Sequence, residues 1–168
     1  MKDGKILFSN AQRINPIAQK RIRKGIGKTN DVILSHKGTV GKVAFAPPNS
    51  PGFICSPQTT FWRSLDHSKI NPRYLYFHLH STGFTSQLRS LENSSDMAAY
   101  VSLTSQRGIN LLLPPIKEQE AIAAALGALD DKIAANARIS SSVDSLAGAL
   151  FTKVLTSSTG TQESKLAS

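Results

Sequence analysis

Apolar residues in this 168-residue chain follow one period in its first two thirds and another in its last third. Up to residue 114 they form short runs divided by Gly, Pro and Asn, which is typical of strands and turns. From residue 116 they recur at steps of three and four, which is typical of a long amphipathic helix. The pattern predicts an α+β fold: a β-rich domain with packed helices, followed by a long projecting helix of the coiled-coil type.

The individual runs predict the elements of the first domain. A glycine-bearing turn joins two strands at residues 31–35 and 43–47, and two further apolar runs follow at 53–55 and 59–63. Pro72 near the start of residues 71–80 predicts that this segment is a capped helix with the proline in its first turn. The remaining predicted elements are helices at residues 71–80 and 84–91 and strands at residues 99–103 and 109–113.

A helix is expected to begin at Pro115, because proline lacks the amide that a first turn leaves unpaired. Its apolar positions form a heptad seam if Asn136 and Ser140 fill the two middle places. The seam spans about 33 residues, or roughly 50 Å, which is longer than a domain of this size can cover. A single helix lying on its own domain is the alternative. The predicted partner-facing residues are Ile122, Leu126, Leu129, Ile133, Val143, Ala147, Leu150 and Val154.

These patterns divide the chain into a first domain at 1–114, a helix at 115–155 and a frayed or disordered tail at 156–168. The positive charge belongs to the first domain, where 15 Lys and Arg stand against 5 Asp and Glu. The rest of the chain has 5 against 6. This asymmetry predicts a polyanion, with nucleic acid the leading candidate, as partner of the domain and a protein as partner of the helix. A basic surface kept for solubility is the alternative.

The most basic segment is Lys-Arg-Ile-Arg-Lys-Gly-Ile-Gly-Lys at residues 20–28, with five cations in nine residues. We interpret it as a clamp on the DNA backbone, the alternative being a solvated surface loop. Three further residues, Lys37, Lys42 and Gln58, are predicted to contact the groove or the backbone of the DNA. The predicted DNA-binding set is Lys20, Arg21, Arg23, Lys24, Lys28, Lys37, Lys42 and Gln58.

No catalytic motif is found. The turn at residues 38–42, Gly-Thr-Val-Gly-Lys, has two residues between its glycines where a phosphate-binding loop needs four. The histidines, His36, His67, His78 and His80, lack ligand neighbours at metal spacing and are predicted to be surface or partly packed residues. We therefore expect no catalytic residue, no metal and no cofactor in this chain. One cysteine, Cys55, and no apolar run of membrane-spanning length predict a cytoplasmic protein.

Four stretches, in order, resemble the specificity subunits of type I restriction-modification systems. They are Leu-Ser-His-Lys-Gly-Thr-Val-Gly-Lys-Val-Ala from residue 34, Cys-Ser-Pro-Gln-Thr-Thr-Phe-Trp-Arg from residue 55, Ser-Asp-Met-Ala-Ala-Tyr-Val-Ser-Leu from residue 95, and Pro-Pro-Ile-Lys-Glu-Gln from residue 114. The last stretch resembles the junction of a target recognition domain with a spacer helix. Together they cover roughly residues 3–155.

The resemblance implies a bacterial or archaeal protein that reads double-stranded DNA without catalysis. In such systems each recognition domain reads half of a split target, and the helices set the gap and dock the methyltransferase subunits. The methyltransferase, with which a restriction subunit assembles, binds S-adenosylmethionine and flips the adenine. A stand-alone DNA-binding or regulatory module on the same scaffold, or a decayed fragment, is the alternative.

This sequence holds one recognition domain and one helix where the family pattern has two of each. That predicts a homodimer through the helices, which would rebuild the two-domain arrangement. Family members also carry one or two strands upstream of the region that matches Asp-Gly-Lys-Ile at residues 3–6. Their absence from this sequence predicts an exposed strand edge.

Overall fold

The computed structural model describes residues 1, 3–92 and 99–163, with side chains as far as residue 157. It divides into two units, the first formed by residues 1–124 and the second starting at residue 125. In the described part, no helix combines the length and the apolar character that crossing a membrane requires. The elements are α1 (Pro16–Arg21), β1 (Ile26–Gly27), β2 (Val32–Ser35), β3 (Val43–Phe45), β4 (Phe53–Ile54), β5 (Thr59–Trp62), α2 (Pro72–Leu79), α3 (Thr82–Ser90), α4 (Leu103–Gln106) and α5 (Ile116–Glu163).

Two small antiparallel sheets form the β part of the first unit. The larger has the order β3-β2-β5, and in it Val32 lies between Phe45 and Trp62. The smaller pairs β1 with β4, with Ile26 opposite Ile54. The hairpin of β2 and β3 confirms the strands predicted on either side of the glycine-bearing turn. The mixed α+β class is confirmed as well.

The core lies between the larger sheet and helices α2 and α3. Val32 and Leu34 from β2 are fully buried there, as are Leu79 from α2 and Phe84 from α3. Trp62 packs edge-on against Phe84, with ring centroids 5.5 Å apart, and its indole N–H donates to Gln106 Oε1 over 3.3 Å. The first unit therefore has a core of its own, built by residues up to 111.

Side-chain caps explain where the helices begin. Asn71 Oδ1 accepts from the amides of Arg73 and Tyr74, and Pro72 takes the first helical position of α2. Ser81 Oγ accepts from the Phe84 amide at the start of α3. The two helices predicted in this stretch are therefore confirmed.

The strand predicted at residues 99–103 was wrong. Only Tyr100 forms a bridge there, opposite Lys37. The cause is Ser102, which caps α4 by accepting from the Ser105 amide over 2.9 Å. This cap turns the chain into a helix before a strand can extend.

The strand predicted at residues 109–113 was also wrong. Side chains bond its backbone in place of a neighbouring strand: Gln87 bonds both the amide and the carbonyl of Asn110, and the Tyr74 hydroxyl donates to the Leu112 carbonyl over 2.8 Å. The apolar run could be identified from the sequence, but these partners could not.

Helix α5 starts one residue after Pro115, and Gln119 fixes that start. The buried Gln119 amide donates to the carbonyls of Lys69 and Pro114 over 2.9 and 2.8 Å and accepts from the Asn71 amide over 3.0 Å. At its other end the helix includes residues 156–163, where the sequence predicted a frayed or disordered tail. Hydroxyl bonds back to preceding carbonyls, as from Thr156 to Thr152, let Ser and Thr sit in this helix. Residues 164–168 lie outside the described residues.

Candidate nucleic-acid interface

The basic segment, residues 20–28, forms two short elements that the sequence analysis did not assign. Lys20 and Arg21 occupy the last turn of α1, which Asn15 caps by accepting from the Ala18 amide over 2.7 Å. Arg23 and Lys24 lie between α1 and β1, and Lys28 follows β1 directly. All five cationic side chains are exposed. The segment therefore presents its whole charge to solvent.

Lys37, Lys42 and Gln58 lie together at one end of β2. Two hydrogen bonds join Ser35 to Lys42: the Ser35 amide donates to the Lys42 carbonyl over 2.9 Å, and the Lys42 amide donates to the Ser35 side-chain Oγ. The His36 amide donates to the Gln58 carbonyl over 2.9 Å. All three predicted contact residues are exposed. We refer to Lys37, Lys42 and Gln58 as the sheet-end group.

The turn between Lys37 and Lys42 depends on two glycines. Gly38 and Gly41 have φ values of +79° and +88°, a region that side chains with a Cβ rarely adopt. Ser35 Oγ also donates to the Thr39 carbonyl inside this turn. The turn is thereby fixed, and the backbone on both sides of it holds the two lysines at one end of the sheet.

A contact between Gly25 and Cys55 joins the basic segment to the sheet-end group. The Cys55 amide donates to the Gly25 carbonyl over 2.8 Å, one residue after Lys24. Gln58 follows three residues after Cys55 in the chain. The stretch that carries Arg23 and Lys24 is therefore next to the stretch that leads to Gln58. Burial raises the pKa of the Cys55 thiol above its ordinary value.

Tyr100 is a candidate contact residue that the sequence analysis missed. It lies directly opposite Lys37, and bonds from Gly38 to Ala99 and from Val101 to His36 hold the two short stretches together. Its ring is exposed and lies 5.8 Å from the ring of His36. Its family-like stretch does not assign it a DNA contact, and the pairing with Lys37 is what shows its position. Residues 95–98, the first part of the family-like stretch that includes Tyr100, lie outside the described residues.

The histidines are dispersed. His36 is buried, contrary to its prediction as a surface or partly packed residue, because its backbone bonds neighbouring segments on both sides and its Nδ1 lies 3.1 Å from the Val101 carbonyl. His78 is half-buried and stacks on Tyr74, and burial lowers its pKa. Within residues 1, 3–92 and 99–163, no three His, Cys, Asp or Glu side chains come together in a group suited to a metal ion.

On α5, the partner-facing residues predicted after Ile122 have high exposure. Leu129 is 58% exposed and Ile133 is 67% exposed, and Leu126, Val143 and Leu150 are also exposed. Ile122 is half-buried. Leucine and isoleucine side chains along one stripe of a helix gain free energy when a second surface covers them. The stripe is therefore available for an interaction with a protein.

The first unit is a mixed α+β domain with exposed cations, and a long helix follows it in the chain. A family model described as the type I restriction modification DNA specificity domain matches residues 2–145. The chain therefore belongs to this family, which confirms the resemblance identified from the sequence. No curated protein matches the chain.

A solved structure, the type I restriction-modification system S subunit from M. genitalium, has the same fold over part of its length. The TM-score is 0.52 at 18% sequence identity, and the match covers 61% of this chain. It covers 26% of that subunit, so the matched part of this chain spans about a quarter of the subunit's length.

Proposed function

We propose that this chain is a sequence-reading unit of a type I restriction-modification system. Its domain reads half of a split DNA target, and its helix sets the distance to the other half. The observation that carries the proposal is the family match, which covers both the domain and the first part of the helix. Exposed cations on the domain support DNA as the ligand, and exposed apolar residues on the helix support a protein partner.

The phosphate contacts are assigned to the basic segment, and base contacts to the sheet-end group. Exposed Lys and Arg attract any duplex through counterion release, whereas sequence is read by side chains that reach base edges. Gln58 suits the second role, since glutamine can pair with adenine through two hydrogen bonds. The chain itself would carry no catalytic residue, and S-adenosylmethionine would bind to the methyltransferase subunit.

A charge-reversal experiment tests the DNA contact. Arg21→Glu with Arg23→Glu should weaken binding to every duplex and lower the salt slope by roughly 2, at about 0.9 for each phosphate that is no longer neutralised. The control is Arg138→Glu with Lys153→Glu, which makes the same change in net charge on α5. If the two double variants bind DNA equally weakly, net charge alone explains the binding and the clamp is refuted.

We further propose that two copies pair through α5 in opposite directions. Residue 138 is the midpoint of the seam, so an antiparallel pair puts Leu126 against Leu150 and Ile133 against Val143 of the second copy. Asn136 of one copy then faces Ser140 of the other, so the polar positions of the two seams pair with each other. This direction also puts the two domains at opposite ends of the helical pair, as the reading of a split target requires.

Cysteine cross-linking tests the direction, in a chain whose only native cysteine is replaced by Cys55→Ser. With Ile133→Cys and Val143→Cys together, oxidation should link the two copies if they run in opposite directions. Ile133→Cys alone should give little product. Efficient linkage by the single variant would instead show a parallel pair.

Selection from random duplexes tests the split target. The paired chain should select two short half-sites with a fixed gap, and related halves are expected because the two copies are identical. Leu129→Glu with Ile133→Glu should reduce the selected site to one half. Light scattering of the chain mixed with a methyltransferase subunit tests the remaining partner. A folded chain that binds DNA and ignores the methyltransferase would favour a stand-alone DNA-binding module.

A further inference from the structure

The basic segment is attached to the domain by a small number of contacts. Within the described residues, α1 buries none of its side chains. Strand β1 is two residues long and pairs with the two residues of β4. Arg23, Lys24 and Lys28 flank or belong to a short stretch of backbone, residues 25–28, and depend on it for their position. Whatever fixes that stretch also fixes where the cations stand.

Asp31 and Arg63 hold the backbone of residues 26–28 in place. The Asp31 carboxylate is fully buried and accepts from Arg63 Nε and Nη2 over 2.6 and 2.7 Å. It also accepts from the backbone amide of Lys28 over 2.7 Å. Arg63 Nη2 donates in addition to the carbonyl of Ile26 over 3.1 Å. The ion pair therefore bonds to the backbone of β1 and of the residue that follows it.

This ion pair contributes little to the attraction of DNA by itself. The charge of Arg63 is balanced by Asp31, and the guanidinium lies over the ring of Phe61 at 4.3 Å with 24% of the side chain exposed. Buried ion pairs are also costly to desolvate, and apolar residues of similar size often stabilise a fold equally well. What apolar residues cannot supply is the directed bonding to Lys28 and Ile26.

We propose that Asp31 and Arg63 are positioning residues for DNA binding, which hold the basic segment in the arrangement that meets the phosphate backbone. The inference rests on the proposed function, since it assumes that this segment contacts DNA. Preorganised cations bind more tightly because their ordering is complete before the ligand arrives. The pair thus acts on affinity through Arg23, Lys24 and Lys28, without touching the duplex.

The test replaces both charges at once. Asp31→Leu with Arg63→Met leaves the net charge unchanged, so any weakening of DNA binding cannot come from long-range attraction. Binding to a duplex of unrelated sequence should fall about tenfold, and its salt slope should fall by roughly 1 to 3 as up to three cations move away from their phosphates. Hydrogen exchange at the amides of residues 26–28 should become faster in the free protein.

The matched control removes an exposed ion pair in the same domain. Asp66 and Lys69 lie 3.4 Å apart, and their side chains are 47% and 80% exposed. Asp66→Leu with Lys69→Met therefore makes the same substitutions at the same net charge, and it should leave affinity and slope unchanged. A buried-pair variant that melts cooperatively and keeps the affinity and slope of the native chain would overturn the inference.

Arg63→Lys decides the question if the double variant does not fold. Lysine keeps the charge but cannot bond Asp31 and Ile26 in the same forked geometry, so an intermediate loss of affinity with faster exchange at residues 26–28 is expected. Native affinity in Arg63→Lys, with that exchange accelerated, would overturn the inference.

Other outcomes would refute the proposed function itself. If the native chain binds no duplex, DNA reading is refuted and the inference falls with it. If the native chain binds but Arg21→Glu with Arg23→Glu has no specific effect, the basic segment is removed from the contact surface.

Discussion

The two units of this chain use apolar residues in opposite ways. In the first unit Leu34, Leu79 and Phe84 are fully buried among their own neighbours. On α5, Leu129 and Ile133 are more than half exposed. Since burial of such side chains is worth about 1.5–3 kcal/mol each, the first unit realises that free energy alone and the helix does not. The apolar side chains of the domain are thus covered by its own residues, whereas those on the helix are exposed.

The two units also differ in net charge. The domain carries the whole excess of Lys and Arg, and the helix is close to neutral. A neutral helix with an apolar stripe suits association with another helix, while repulsion would oppose the pairing of two strongly basic surfaces. Three pairs of variants test this division between the two units, and a fourth pair compares two histidines within the first unit.

The largest effect is expected from charges placed in the stripe. Leu129→Glu with Ile133→Glu should abolish self-association, since paired helices would have to bury four carboxylates. Light scattering gives the mass, and calorimetry should show an unchanged melting transition for the domain. Ala128→Glu with Ala135→Glu, two exposed positions off the seam, is the control and should leave the dimer intact. Equal disruption by both pairs would mean that the helix associates without a defined face.

Truncation of one leucine in each unit should give unequal losses of stability. Leu79→Ala opens a cavity in a packed core and should cost about 2–5 kcal/mol in the free energy of unfolding of the domain. Leu150→Ala, at an exposed position, should leave that free energy nearly unchanged and weaken only the dimer. Urea unfolding and dilution series separate the two effects. A large loss of domain stability in Leu150→Ala would show that the two units are not independent.

A smaller loss is expected at the start of α5. Gln119→Ala leaves two carbonyls and the Asn71 amide without their present partner, which should cost about 1–3 kcal/mol of domain stability. Asn136→Ala, in the exposed part of the same helix, should cost the domain nothing. Urea unfolding compares them. If Gln119→Ala is equally harmless, water replaces the side chain at these bonds.

The smallest effect depends on pH and on His78. Burial holds the pKa of His78 below its usual 6.5, so the unfolded chain takes up this proton at a higher pH than the folded domain does. Stability is therefore complete above about pH 6.5 and declines as the pH falls towards the lower, folded pKa. His78→Gln should flatten this decline in melting curves recorded at several pH values. His67→Gln, on an exposed loop, should keep it.

Local signals in the sequence were enough to predict those elements of the domain that neighbouring residues specify. The hairpin around Gly38 and Gly41 and the cap formed by Asn71 and Pro72 depend on neighbouring residues, and the structure confirms both. The strand predicted at residues 109–113 failed because Gln87 and Tyr74, which are distant in the chain, bond its backbone. Propensity contains no information about such partners.

The candidate interface shows the same limit. The run of cations identified the basic segment in the sequence. Nothing in the sequence indicated the ion pair of Asp31 with Arg63, because a lone aspartate before a strand does not reveal that it is buried. Tyr100 likewise became a candidate only through its position opposite Lys37. The assignment of individual residues to DNA contact stays a prediction, which the charge-reversal variants address.

Trp62 is the only tryptophan in the chain, and it packs in the core of the first unit. Its fluorescence therefore reports on the domain and is silent about events on the far part of α5. Far-ultraviolet circular dichroism reports mainly on α5, since α5 has 48 residues while the other helices have between 4 and 9 each. Two optical signals from one unlabelled sample can thus follow domain unfolding and helix melting separately during a single titration.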